Sequence, residues 1–243
     1  MKPAPWAPQT GAVSLTFDDG SPSQLEKALP LLDRLKLKAT FYLGPWALDQ
    51  PEKVATWQRI AAAGHEIGNH SWSHPGSSHF GGSGGIEEWT LPQIEADVKR
   101  AQELLAPLFP QQQDWTYCYP CYQTDVGRGE NRQSYVPFIA RNFLAARGAG
   151  EPPFGNHPAG VDLAKVWGVP ADRRSGQELI GIAETEAAAG RWLVLVHHEI
   201  EGQRLSATRE DLEMLCTHLA RNADRIRTDT FGAIARSVRE YQR

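Results

Sequence analysis

The chain has 243 residues, of which 41% are hydrophobic and 22% charged, with 25 Lys plus Arg against 29 Asp plus Glu. A formal net charge of -4 and 3 Cys exclude a dedicated nucleic-acid binder, which needs a basic face, and a disulfide framework; no apolar run approaches the roughly 18 residues of a membrane span. Residues 1–11 lack the apolar core of a signal peptide, which predicts a cytoplasmic protein on this sequence, or a secreted or periplasmic one if a signal has been removed.

Residues 12–17 read as a strand that ends in Asp18-Asp19-Gly20. Residues 23–35 read as a helix, with Leu25, Ala28, Leu29, Leu32 and Leu35 on one face. A strand over 39–43, a helix over 51–63 closed by Gly64, and a strand over 65–69 follow. Residues 71–85 read as a loop with a Gly-rich end. A long helix over 90–108 starts on the capping box Thr90 and Gln93. Residues 115–119 form a strand stopped by Pro120, and 121–136 are polar without a clear period. Strands are predicted over 142–146, 165–169 and 192–197, with a Gly- and Pro-rich loop over 148–162. Helices are predicted over 175–189, 208–225 and 231–241.

Strand and helix alternate throughout, which predicts parallel strands with crossover helices. With no repeat, linker or charge block, residues 1–243 read as one domain. In such folds functional groups gather at the carboxyl ends of the strands. Asp18 and Asp19, His70 and His74, Pro120 and Cys121, and His197 and His198 all fall there.

His70-Ser71-Trp72-Ser73-His74 sets two imidazoles four residues apart, so that on a helical turn both reach one ion. Two His and one carboxylate leave a position open for water, the arrangement of a catalytic zinc. Singly, each motif has a plain reading as loop histidines or as an Asp-Asp-Gly turn; together they point to a metal. Adjacent Asp18 and Asp19 allow one carboxylate to bind the ion while the other takes a proton. His197 suits the second proton transfer, with an ordinary pKa of about 6.5. The apolar strand before it leaves a buried core histidine as the other reading.

In order and spacing, Thr16-Phe17-Asp18-Asp19-Gly20, His70-Ser71-x-x-His74 and Leu193-x-Leu195-x-His197 resemble the signature of polysaccharide deacetylases of the NodB-homology type, carbohydrate esterase family four. The resemblance runs over residues 12–240. It implies a distorted (β/α) barrel of seven or eight parallel strands. It implies a divalent metal held by Asp19, His70 and His74, zinc ahead of cobalt or nickel. By the same transfer Asp18 is the general base and His197 the general acid. The implied reaction removes acetyl groups from a carbohydrate, chiefly the amide of N-acetylglucosamine units in a poly- or oligosaccharide. The oxyanion N–H of the family's third motif falls at Cys121. Leu195, Tyr122, Trp72 and Trp167 are then the candidates for the acetyl pocket and sugar groove.

The third motif departs from the family. Where Arg-x-Pro-Tyr is usual, this chain has Cys118-Tyr119-Pro120-Cys121, so the arginine that orients the base is missing. Gln123, Arg128 and Arg132 downstream are the substitutes this reading offers. Cys118-x-x-Cys121 also reads as a redox or zinc pair. The fourth motif is faintly matched by Asp162 and Trp167. Three alternatives stay open: an O-acetyl, xylan-type esterase on the same residues, a hydrolase of small amides on the same fold, and a sugar-binding protein without catalysis.

Overall fold

The computed structural model describes residues 3–80, 84–151 and 154–243. Gly81, Gly82 and Ser83 of the Gly-rich loop lie outside the described residues, as do Pro152 and Pro153. The strands are β1 (Gly11–Asp18), β2 (Thr40–Leu43), β3 (Glu66–Asn69), β4 (Thr116–Cys118), β5 (Asp125–Val126), β6 (Gln133–Ser134), β7 (Ala145–Ala149), β8 (Val166–Pro170), β9 (Trp192–His197), β10 (Glu199–Ile200), β11 (Ser206–Ala207) and β12 (Ile226–Thr228). The helices are α1 (Leu29–Arg34), α2 (Pro51–Ala62), α3 (Leu91–Leu108), α4 (Val136–Asn142), α5 (Gly176–Ala188), α6 (Arg209–Arg221) and α7 (Phe231–Gln242).

Seven parallel strands close a barrel in the order β1-β2-β3-β4-β7-β8-β9, with β9 returning to β1 from Ala12–Trp192 to Phe17–His197. An eighth strand, β12, pairs with Gly11, Ala12 and Val13 at the start of β1, on the edge whose far end β2 occupies. The predicted barrel is therefore a closed ring of seven with an eighth strand wedged at its base.

Three elements differ from the sequence reading. The helix over 23–35 is split into a π-helical turn, Gln24–Ala28, and α1. Pro30 has no N–H to continue the ladder, so the hydrogen-bond register changes there. The strand placed at 142–146 starts only at Ala145, because Val136–Asn142 forms α4. The helix placed at 208–225 stops at Arg221, which frees Ile226–Thr228 to pair with β1.

Alternation along each strand divides the core into two layers. The outer layer joins Leu15, Phe17, Phe41, Ile67, Leu193 and Leu195 to apolar side chains of α1, α2, α5 and α6. The inner layer holds Ala12, Tyr42, Cys118, Val166, Trp192 and Val194. Each fully buried large apolar side chain contributes about 1.5–3 kcal/mol. The barrel is narrow, and glycine clears its interior. A Cβ on Gly68 of β3 would lie 2.3 Å from the Tyr42 ring, and one on Gly168 of β8 would lie 3.0 Å from Arg147 Cδ.

Helix α7 closes the amino-terminal end of the barrel. The N–H of Phe231 donates to Thr40 Oγ1 at 2.8 Å, and that of Gly232 to the buried Glu66 carboxylate at 2.7 Å. A carboxylate suits the positive end of a helix. The carboxyl ends of the strands are left as the open end. Among the described residues no helix is long and apolar enough to cross a membrane.

Candidate active site

Nine described non-glycine residues have positive φ, and all but Lys36 lie at the carboxyl end of the barrel: Asp19, Ser71, His74, Cys121, Tyr122, Arg173, Glu201 and Leu205. Such conformations cost free energy and persist where surrounding structure enforces them. The sequence places the two histidines of the His-x-x-x-His motif on a helical turn, but no helix forms there. Instead Ser71 and His74 adopt φ of 66° and 51°. The bend is pinned by Asp97 of α3, which accepts from the N–H of Trp72 at 2.9 Å and of Ser73 at 3.3 Å. The Ser71 hydroxyl accepts from the His74 N–H at 3.0 Å.

This bend brings the predicted ligands together. Asp19 Oδ1 lies 3.4 Å from His70 Nε2 and 3.5 Å from His74 Nε2. One donor atom from each of the three lies within 4.8 Å of the others. His70 Nδ1 faces the Cys118 carbonyl at 3.1 Å, which orients the ring and leaves Nε2 toward the cluster. Two imidazoles and one carboxylate fit a divalent cation with an open coordination position. A second group, Asp18, His70 and Cys118, is equally close, but the Arg147 guanidinium already sits in it.

Arg147 is the arginine that the third motif lacks. It lies on β7 in direct register with Cys118 on β4, and both face inward. Its Nη2 donates to both Asp18 oxygens at 2.5 Å and lies 2.7 Å from Cys118 Sγ. The small thiol leaves space for the guanidinium. Burial pushes the Asp18 carboxyl up, but Arg147, with His70 and His198 beyond it, outweighs this and holds it well below the ordinary carboxylate range. The substitutes offered from sequence lie elsewhere: Gln123, Arg128 and Arg132 line a side cavity. The missed signal is a charged residue within Ala145-Ala146-Arg147-Gly148, since a buried arginine on a barrel strand demands a partner. The strand predicted at 142–146 ends one residue short of it.

His197 is not at the site. It is buried on the outer face of β9, its ring stacked on Phe17 at 4.9 Å. Burial pulls its pKa down to about 4, which keeps the ring neutral. His198 occupies the inner position instead. Its Nδ1 pairs with Asp172 Oδ2 at 2.8 Å, and its Nε2 lies 3.7 Å from Asp18 Oδ2. Burial pushes the His198 imidazole down, but the hydrogen bond to Asp172 and the charge of Asp18 outweigh it and raise the pKa above the ordinary value. Asp172, just past β8, was missed by the sequence reading; its signal is a carboxylate at a strand end. Gln24 ties the two strand ends together, its amide donating to the carbonyls of Asp18 at 2.5 Å and His198 at 2.8 Å.

The shift of one residue also removes Leu195, which packs in the outer layer; Val196 faces inward. Tyr122 stays beside the site, its ring 5.9 Å from the Arg147 guanidinium. Cys121 adopts φ 49° in the turn after β4. All three cysteines are free, so Cys118 and Cys121 form no disulfide. Trp72 does not line the cluster: it lies under the Arg100 guanidinium of α3 at 3.7 Å. Trp167 projects from the outer face of β8, 39% exposed, over a cavity that includes His157, Lys165 and Arg191. Asp162 caps the short turn before that strand, accepting from the Ala164 N–H at 2.9 Å.

A family model described as polysaccharide deacetylase matches residues 7–128. The chain is 41% identical over 76 residues to a chitooligosaccharide deacetylase of Sinorhizobium fredii, covering 30% of this chain and 34% of that protein. It is 51% identical over 67 residues to a peptidoglycan-N-acetylglucosamine deacetylase of Bacillus cereus, covering 26% of this chain and 22% of that protein. The match thus spans well under half the length of either relative. Among solved structures, a family 4 acetyl xylan esterase from Clostridium thermocellum, in complex with a cobalt ion, aligns with a TM-score of 0.58 at 19% identity, covering 92% of this chain and 89% of that one. The likeness to that structure is one of fold.

Proposed function

The chain belongs to the polysaccharide deacetylase family, and from that premise we propose that it hydrolyses the acetamide of N-acetylglucosamine units in a poly- or oligosaccharide. The observation that carries this reading is the meeting of three groups at one barrel mouth: Asp19, His70 and His74; Asp18 with Arg147; and His198 with Asp172. The names of the two curated relatives support an N-acetylated glycan as substrate.

Asp19, His70 and His74 would hold a divalent cation, with zinc the first choice for this donor set and cobalt or nickel as alternatives. When bound there, the cation supplies Lewis acidity toward the acetyl carbonyl and the attacking water. Asp18 accepts a proton from that water. Its low pKa makes it a weak base but keeps it ionised, and Arg147 fixes its direction. The Cys121 N–H is assigned to the developing oxyanion. His198 donates a proton to the departing nitrogen as the carbon–nitrogen bond breaks, giving acetate and a free amine. Asp172 holds that imidazole and favours its protonated form. An amine leaves only when protonated, whereas an alkoxide needs less help. The Asp172–His198 pair therefore favours the amide over an O-acetyl ester.

Acetate release from chitooligosaccharides, peptidoglycan and acetylated xylan tests this reading. Release from an N-acetylated glycan, abolished by a chelator and restored by Zn²⁺ or Co²⁺, is expected. No metal-dependent release from any of the three would contradict it.

A further inference from the structure

The parallel ladder between β1 and β9 has its last register pair at Phe17 and His197. The two groups assigned to proton transfer come one residue later, Asp18 on one strand and His198 on the other. Their separation, 3.7 Å from His198 Nε2 to Asp18 Oδ2, depends on what joins the two chains past the ladder. That joint is a side chain. Gln24 is wholly buried, and its amide nitrogen has two hydrogens. One goes to the Asp18 carbonyl at 2.5 Å and the other to the His198 carbonyl at 2.8 Å. Turned over, the amide would set its oxygen against two carbonyl oxygens, a repulsive contact. In the orientation it adopts, Oε1 is buried with no hydrogen-bond partner among the described residues. An unpaired buried acceptor costs free energy, and here that cost accompanies two donors placed across the strand ends.

The turn that carries Gln24 is itself fastened to the segment after β9. Gln24–Ala28 winds as a π-helical turn, a form frequent at functional sites. The Ser23 hydroxyl accepts from the Ile200 N–H at 3.0 Å. Lys27 donates to the Ile200 carbonyl at 3.2 Å and pairs with Glu201 at 2.8 Å. Gln24 adds the link to β1. The neighbouring Asp19 has a separate support, since its carbonyl accepts from the Trp46 indole N–H at 2.8 Å. The proton-transfer pair and the cation cluster are thus held by different side chains.

We propose that Gln24 is a positioning residue for proton transfer. Its amide fixes the separation of Asp18 and His198 without touching substrate or the cation cluster. The chemistry served by that separation rests on the deacetylase reading; the separation itself does not.

The test compares the full chain as wild type, Gln24→Met, Gln24→Asn and Lys27→Met. Gln24→Met keeps the bulk and removes both donors. Gln24→Asn keeps the amide but shortens its reach, and it serves if the methionine variant does not fold. Lys27→Met removes other ties of the same turn. Acetate release from a chitooligosaccharide gives kcat and KM, with kcat counted per zinc site titrated by calorimetry. Crystal structures give the distance between Asp18 and His198. Both Gln24 variants are expected to lower kcat about tenfold or more, with KM and zinc affinity unchanged, and to widen the separation beyond 3.7 Å. Lys27→Met should keep the wild-type kcat. An unchanged kcat or an unchanged separation in the Gln24 variants would overturn the proposal, as would an equal loss in Lys27→Met. A widened separation in a protein that releases no acetate even as wild type would uphold the tie and refute the deacetylase reading. Wild-type release that persists undiminished with Gln24 replaced would do the reverse.

Discussion

The two faces of β9 set adjacent histidines in opposite surroundings. On the outer face His197 lies against Phe17, within an aromatic series that continues through Phe41 to Trp57. Among the described residues no carboxylate forms an ion pair with it, and burial, outweighing the charge of Asp172, holds its pKa at about 4. On the inner face His198 lies between Asp172 and Asp18 and is raised above its ordinary value. One residue of register separates a neutral packing ring from an imidazole held between two carboxylates. Side-chain type alone carries no role here; the face of the strand assigns it.

The comparison can be broken most severely at the charge beneath the inner histidine. Arg147→Ala strips the buried Asp18 of its guanidinium and leaves only the imidazoles near it, a loss of about 3–5 kcal/mol. A melting scan should show Tm lower by about 10 °C, and acetate release should fall about 100-fold or more. Because Cys118 and Arg147 are register partners, the double variant Cys118→Arg with Arg147→Cys should recover activity relative to Arg147→Ala. Recovery would show that the inner face requires a guanidinium over Asp18, whichever strand supplies it. A double variant no better than the single one would refute that.

A smaller effect sharpens the contrast without destroying it. His198 must be protonated to act as an acid, so the rate should fall as pH rises through its raised pKa, on the alkaline side of the ordinary value. The Asp172 hydrogen bond is the first of the influences that raise it. Asp172→Asn should therefore move the alkaline limb of the pH–rate profile to lower pH, with the acid limb in place. An unmoved alkaline limb would remove Asp172 from the mechanism.

The same contrast explains what was legible in the sequence. Parallel strands with crossover helices followed from strand–helix alternation, and the two histidines with one of the adjacent carboxylates from motif spacing, whereas the barrel and the choice of Asp19 came from the family resemblance. The helical turn drawn for His70 to His74 was wrong in geometry yet right in convergence, because left-handed Ser71 and His74 achieve it. The choice between His197 and His198 was not legible. A parallel strand buried on both faces reads as a continuous apolar run, so Leu193-x-Leu195-x-His197 and Val194-x-Val196-x-His198 offer two frames with no polar residue to choose between them. Arg147 was hidden for a related reason. Its partner Cys118 lies next to it across the sheet but 29 residues away in sequence, whereas the sequence reading searched the adjoining loop. Trp72 was read from its place between the two histidines and Trp167 from the fourth motif; the structure sets Trp72 against Arg100 and leaves Trp167 39% exposed on the outer face of β8.

The most direct test of the account compares kcat for His198→Gln and His197→Gln on one N-acetylated oligosaccharide, with metal-loaded protein and folding checked by circular dichroism. His198→Gln should lower kcat by about 100-fold or more, while folded His197→Gln should stay within a few-fold of wild type. The opposite ranking, with His198 dispensable and His197 essential, would contradict the assignment of β9's inner face as the catalytic one.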